Sequence, residues 1–190
     1  MISAPVVQED SVDRFGALRA RVGAEQIRDL DAIDLAAALR RVPGVTISRW
    51  NPVGAFGGGS GGGVFVRGHG TSRPGGEIKT FIDDVPFYMG VWNHPLLDLL
   101  PVNAMEAISV HKGPQPQVVG NTFSAIRLSS RAAPVGTHGD LSVATGSFNT
   151  LVQQANASVR AGRLGVAVAQ GYARSDGHRV DADGELVNGL

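Results

Sequence analysis

The sequence predicts an α+β domain, a small mixed sheet with short helices, followed by antiparallel strands whose alternation fits a transmembrane β-barrel or a half-buried hairpin. Three observations carry this. Residues 64–131 hold four short apolar runs: Val64-Phe65-Val66, Thr80-Phe81-Ile82, Ala107-Ile108-Ser109-Val110 and Ser124-Ala125-Ile126-Arg127-Leu128. Gly, Pro and Asp bound them, which marks strands rather than helices. From Gly139 onward, apolar residues alternate with small or polar ones. Finally, 26 glycines stand beside 43% hydrophobic but only 6% aromatic residues, a β-rich and loop-rich composition with enough apolar surface for a core.

Taken in order, residues 1–10 contain Pro5 and no periodicity, and read as an extended or disordered segment. Residues 24–41 carry helical spacing through Ile27, Leu30, Ile33, Leu35 and Leu39, with Ala36-Ala37-Ala38 as strong helix formers. Asp31 or Asp34 can cap the second part, and Pro43-Gly44 stops it. Val45-Thr46-Ile47 reads as a strand. The glycine run 51–63 reads as a long loop, residues 73–77 as a turn, and residues 115–122 as a second loop. Residues 87–95 concentrate aromatic and polar side chains, and residues 96–100 spell one helical turn before Pro101. In the last third, Leu141 and Val143, then Ala155, Ala157 and Val159, then Leu164, Val166 and Val168 form one face; Gln154, Asn156, Ser158 and Arg160 lie on the other. Ala161-Gly162-Arg163 is a tight turn. Such alternation is the pattern of a membrane-spanning barrel strand or of a half-buried soluble hairpin. Gln170 and Tyr172 fall on the face assigned to lipid, where Tyr172 suits an interfacial girdle.

Composition narrows the function. Seventeen basic residues balance seventeen acidic ones, so no charge excess points to nucleic acid. With no cysteine, disulfides and thiolate metal sites are excluded. No apolar run approaches the ~20 residues of a membrane-spanning helix, and Met1-Ile2-Ser3-Ala4-Pro5 does not read as a signal peptide. None of the five histidines lies at helical ligand spacing from another ligand, so no bound metal or cofactor is expected. The glycine run lacks a Gly-Lys-Ser/Thr ending, and Gly58 to Gly62 spells Gly-x-Ser-x-Gly around Ser60 only within low-complexity glycine. Asp83 and Asp84, if in a strand, point to opposite faces. No catalytic constellation is found, and the chain is not expected to be an enzyme.

The motifs Leu39-Arg40-Arg41-Val42-Pro43-Gly44-Val45, VFVRGHG, FIDDVP and AISVHKGPQPQVVGNTFSAIRL, in that order and spacing, resemble the plug domain of TonB-dependent outer-membrane receptors. The resemblance covers residues 11–190. It implies a flexible segment near the TonB box at 1–10, a plug at 11–133 and, at 134–190, the first antiparallel strands of a truncated transmembrane β-barrel. Barrels of this class have roughly 22 strands around a plugged lumen, so most of the barrel is expected to lie outside this chain. The implied function is active uptake of a siderophore or similar metal chelate across the outer membrane. Its partners would be TonB of the inner-membrane energy-coupling complex, outer-membrane lipid and the chelate itself, with no nucleic acid. The resemblance places ligand at the plug apex, with Tyr88, Met89, Trp92, His94 and Phe56 as candidate contacts. It makes Arg67, Glu106 and Lys112 the charges that lock plug to barrel, and it puts TonB coupling near Ile2, Ala4, Val6 and Val7. Four positions depart from the pattern: Asp84 replaces a Gly, Ser109 a Glu, and Ser124 and Arg127 a Gly and an Asn. The alternatives are a non-transporting receptor fragment with a foldable plug and a glycine-loop enzyme using Ser60.

Overall fold

The computed structural model describes residues 8–12, 16, 18–49, 53, 63–70, 77–87, 102–181 and 183–190. Among them, thirteen strands form three sheets. Five apolar runs become strands: β3 (Val45–Ser48), β4 (Gly63–Val66), β6 (Ile78–Ile82), β8 (Met105–His111) and β9 (Ser124–Ser130). Three further strands belong to the same half of the chain: β1 (Gln8–Val12), β2 (Leu18–Gly23) and the short β7 (Val85–Pro86).

A six-stranded sheet runs β1-β2-β8-β9-β6-β7, antiparallel except for the parallel pair β6 and β9. Its register sorts the side chains. Ala20, Val22, Ile108, Val110, Ile126 and Leu128 share one face and are fully buried. Arg19, Arg21, Ser109, His111 and Arg127 share the other. The apolar face packs on two short helices, α1 (Ala24–Asp29) and α2 (Leu35–Leu39), whose Ile27, Leu35 and Leu39 join the same core. Burying such side chains contributes about 1.5–3 kcal/mol each.

Several sequence expectations need correction. Residues 24–41 are not one helix: Asp31 sits at φ +46, and the chain breaks between α1 and α2. Asp34 does cap α2, accepting a 2.8 Å hydrogen bond from Ala37 N. The Val64 run lies outside the main sheet, forming a separate three-stranded sheet of β3, β4 and β5 (His69–Gly70). The segment 115–122 contains a helical turn, α3 (Pro116–Val119), with Pro at its first position, where a missing N–H costs nothing. Within the segment read as extended or disordered, residues 8–10 are extended and open β1. Asp83 and Asp84 form no part of a strand. They are the two central residues of the β6–β7 hairpin, at φ +45 and +70, as a two-residue turn of this hand requires. The glycine loop apart from Val53 and Gly63, the turn at 73–77 apart from Glu77, and the helical turn at 96–100 lie outside the described residues.

The last third folds as the alternation predicts. Strands β10 (Gly136–Gly146), β11 (Thr150–Ala161), β12 (Leu164–Ser175) and β13 (Gly184–Gly189) form a regular antiparallel sheet. Gly162 (φ +61) and Arg163 make the two-residue turn between β11 and β12. Strands β10 and β13 each have one partner, so the sheet is open among the described residues. No helix of the described residues is long and apolar enough to cross a membrane, which says nothing of strands.

Candidate functional site

The register of β10–β13 defines two faces. Leu141 pairs with Ala155, Ala155 with Gln170, Ala157 with Val168, Val159 with Val166 and Tyr172 with Val187, so these side chains share a face. Leu141, Val143, Val159, Leu164, Val166, Val168 and Val187 are all exposed there, Leu164 to 82%. A band of exposed aliphatics on one side of a regular sheet is what an apolar solvent accommodates and water does not. Gln170 and Tyr172, on the same face, are half-buried.

The opposite face meets the N-terminal unit through amides and a few apolar contacts. Asn103, in a 3-10 turn (Val102–Ala104) before β8, directs Nδ2 at the carbonyls of Ala155 (3.3 Å) and Gln170 (3.3 Å) and at Asn156 Oδ1 (3.2 Å). Gln154 Nε2 donates to Ala32 O at 3.0 Å. Val53 packs with Ala173 and Leu186, flanked by Ile33 and Val152. The fit is closest at Gly184, where an added Cβ would lie 2.2 Å from Val53 O. Beside these contacts, a cleft of about 340 Å³ is lined by Asn103, Ser130 and Arg131 together with His138, Asp140 and Asn156 of the sheet. Asn156 Nδ2 donates to Asp140 Oδ2 at 2.9 Å across that wall. None of these docking contacts is an ion pair, and isolated neutral amides in a 3-10 turn and a strand leave no motif in the sequence. Only the alternation of Gln154 and Asn156 with alanines signalled the polar face.

The second part of the site is the meeting of two motifs. Arg67 and Gly68 form the β4–β5 hairpin turn at φ +52 and +86. Arg67 N donates to Gly44 O at 2.8 Å, which ties the Pro-Gly stop of the helical segment to this turn. Its guanidinium Nη1 then donates to Lys112 O at 3.2 Å. Arg67 and Lys112, far apart in sequence, are thus brought together. Lys112 is only 4% exposed, and the adjacent His111 is 3% exposed with Nδ1 2.8 Å from Gln115 Oε1. Glu106 does not join them. It is exposed near the start of β8, six residues or roughly 20 Å of strand from Lys112.

The remaining candidates, Phe56, Tyr88, Met89, Trp92 and His94 at the proposed apex and Ile2, Ala4, Val6 and Val7 near the N-terminus, lie outside the described residues. The chain leaves the sheet toward Tyr88 from a fixed point: Phe87 packs on the core and its N donates to Thr80 O at 2.8 Å. No cluster of three or more metal-ligating side chains occurs among the described residues.

The fold recurs in known proteins. Residues 14–125 match the family described as TonB-dependent Receptor Plug Domain. No curated protein matches the chain by sequence at a significant level. Among solved structures, the chain is similar to the siderophore receptor PiuA from Acinetobacter baumannii at 23% identity, covering 90% of this chain and 22% of that one, with a TM-score of 0.63. It is also similar to the pyoverdine outer membrane receptor FpvA from Pseudomonas aeruginosa PAO1, at 15% identity over 82% of this chain and 22% of that chain, TM-score 0.63. The ferric-catecholate import receptor Fiu from E. coli K12 gives 17% identity over 87% and 22%, TM-score 0.62. The chain therefore spans about a fifth of these receptors, and at such identities the likeness is one of fold. With the plug match covering more than half of its residues, and with a receptor rather than an enzyme family behind that match, the chain belongs to the TonB-dependent receptors and carries their plug domain and an adjoining set of barrel-type strands.

Proposed function

We propose that this chain is the plug and first wall strands of an outer-membrane transporter that takes up a siderophore or similar metal chelate, driven by TonB. The observation that carries the reading is the two-faced β10–β13 sheet: its amide-bearing face holds the plug and its aliphatic face is turned outward. Loop lengths orient it. The two-residue turn Gly162-Arg163 lies at one end of the sheet, and Ser147-Phe148-Asn149 and residues 176–183 lie at the other. Short turns belong to the periplasmic side of outer-membrane barrels and longer loops to the outside. Val53, near the start of the glycine run, packs near the outer end through Ala173 and Leu186. That supports Phe56 and the run itself as one side of an outward vestibule, with Tyr88, Met89, Trp92 and His94 as the other.

In this reading, aromatic side chains with polar tips hold a chelate that is part apolar and part charged. The Arg67–Lys112 junction seats the plug against barrel carboxylates, and Ile2, Ala4, Val6 and Val7 adjoin the segment TonB grasps. Transport itself needs no chemistry from the protein. The test is uptake of ferric tris-catecholate and ferric tris-hydroxamate probes by cells carrying the complete receptor. Uptake should require both the receptor and TonB, and Tyr88→Ala and Trp92→Ala should each weaken probe binding by about 1 kcal/mol or more. TonB-independent uptake, or binding untouched by both substitutions, would reject the assignment.

A further inference from the structure

We infer that Asp83 and Asp84 act as a clasp, closed by Arg127 and Ser130 of β9, that fixes where the loop bearing Tyr88, Met89 and Trp92 leaves the sheet. The role of that loop rests on the function proposed above; the clasp does not.

The hairpin turn at Asp83-Asp84 places two carboxylates where left-handed backbone is required, at φ +45 and +70. Asp tolerates this conformation because its short side chain can hydrogen-bond locally, yet Gly would adopt it without steric cost. Here both carboxylates reach away to β9 instead. Asp83 Oδ1 accepts from Ser130 N at 2.9 Å, Asp83 Oδ2 accepts from Ser130 Oγ at 2.6 Å, and Asp83 N donates to Leu128 O at 2.9 Å. Asp84 forms an ion pair with Arg127. The turn is thereby held on β9 at both ends of its two residues. Only two residues, Val85 and Pro86, separate it from Phe87, the last described residue before the apex loop.

Three of the four positions that depart from the resembled pattern meet in one feature. Asp84 stands for a Gly and Arg127 for an Asn, and they are partners. Ser109 stands for a Glu, and it is the cross-strand neighbour of Arg127 in the β8–β9 register. Directly opposed residues in a sheet are close enough for opposite charges to pair. A Glu at 109 would compete with Asp84 for Arg127, whereas Ser109 Oγ accepts from Arg19 Nη2 at 2.9 Å and leaves Arg127 to the turn. The neutral residue at 109 thus leaves Arg127 to pair with Asp84 at the base of the apex loop.

The experiment uses the complete receptor in detergent, in a Trp50→Phe background that leaves Trp92 as the only tryptophan of this region, since the chain has two. Acrylamide quenching of Trp92 and the thermal midpoint are measured for Asp84→Asn, Arg127→Gln, their combination, and the reversed pair Asp84→Arg with Arg127→Asp. Each single substitution should raise the quenching constant by about 1.5- to 3-fold, and the combination no further, because the two residues act as one unit. The reversed pair should recover at least half of the change. Ser109→Glu should mimic Asp84→Asn. Additive effects, unchanged quenching, or a lowered midpoint without rescue by the reversed pair would each overturn the clasp. Affinity for the ferric tris-catecholate and tris-hydroxamate probes supplies the separate arm. If quenching follows the scheme but neither affinity changes, the clasp stands and the ligand role of the loop falls.

Discussion

Gly184 offers a severe test of how the plug sits on the wall. It opens β13, and a Cβ built there meets Val53 O at 2.2 Å, with the Val53 carbonyl carbon at 3.1 Å. An ordinary carbon–oxygen contact needs more than 3 Å, and both atoms are backbone, so neither can swing aside by rotating a side chain. Gly184→Ala must therefore move the Val53 segment or the strand by about 1 Å. Overpacking of this kind costs about 1–3 kcal/mol. Relief of backbone entropy at a glycine returns about 0.4–1 kcal/mol. The net loss falls on seating of the segment before the glycine run, where 1.4 kcal/mol is about tenfold in the seated population. Gly171→Ala is the control: its Cβ would lie 2.5 Å from Asn188 Oδ1, the far end of a side chain that can rotate. Hydrogen exchange and protease cleavage around Val53 should rise in Gly184→Ala and change little in Gly171→Ala. Equal protection in both would mean that Val53 does not dock on β13, and the described seam would be wrong.

Other outcomes follow from the same contacts. Asp34→Ala removes the cap of α2 and the ion pair with Arg49, at a side chain only 4% exposed, and should cost about 2–3 kcal/mol in chemical unfolding. Arg67→Ala should destabilise more than Arg67→Gly: both lose the bond to Lys112 O, but Gly relieves a φ of +52 worth about 1 kcal/mol, and thermal unfolding orders the two. Because the chain has no cysteine, Ala133→Cys with Gly165→Cys gives an unambiguous crosslink test. The Gly165 Cβ position lies 3.3 Å from Ala133 Cβ, so oxidation should form a disulfide and shift gel mobility without reorganising the wall.

Much of the fold was legible because its physics is local. Short β-branched runs bounded by Gly and Pro become β3, β4, β6, β8 and β9, and the two-residue alternation becomes β10–β12 with the faces assigned correctly. What failed was non-local or too short. Strand β2 alternates Leu18, Ala20 and Val22 with Arg19, Arg21 and Gly23, but its small apolar residues and charges resemble the flank of a helix. Nothing in the Val64 run announces that it pairs with β3 rather than β6, since pairing depends on partners distant in sequence. A four-residue helix such as α3 has no period to detect. Arg67 and Lys112 stand out in their motifs and the fold brings them together, whereas the docking roles of Asn103 and Gln154 were not legible, because a hydrogen bond to a backbone carbonyl selects position rather than a recognisable residue pattern. Asp83 and Asp84 were legible as the close of the Thr80 run, but not as the two left-handed residues of a hairpin turn, which Gly rather than Asp usually announces.

The central claim is that β10–β13 form a membrane wall with the plug on its polar face. Single cysteines at each position from Leu164 to Tyr172, in the complete receptor in its membrane, test it most directly. The account predicts a two-residue period: labels at Leu164, Val166 and Val168 should be reached by a lipid-soluble quencher and not by a charged thiol reagent. Labels at Gly165, Ala167 and Ala169 should be shielded from lipid. Lipid contact in the opposite phase, or no alternation along β12, would contradict both the wall and the seating of the plug.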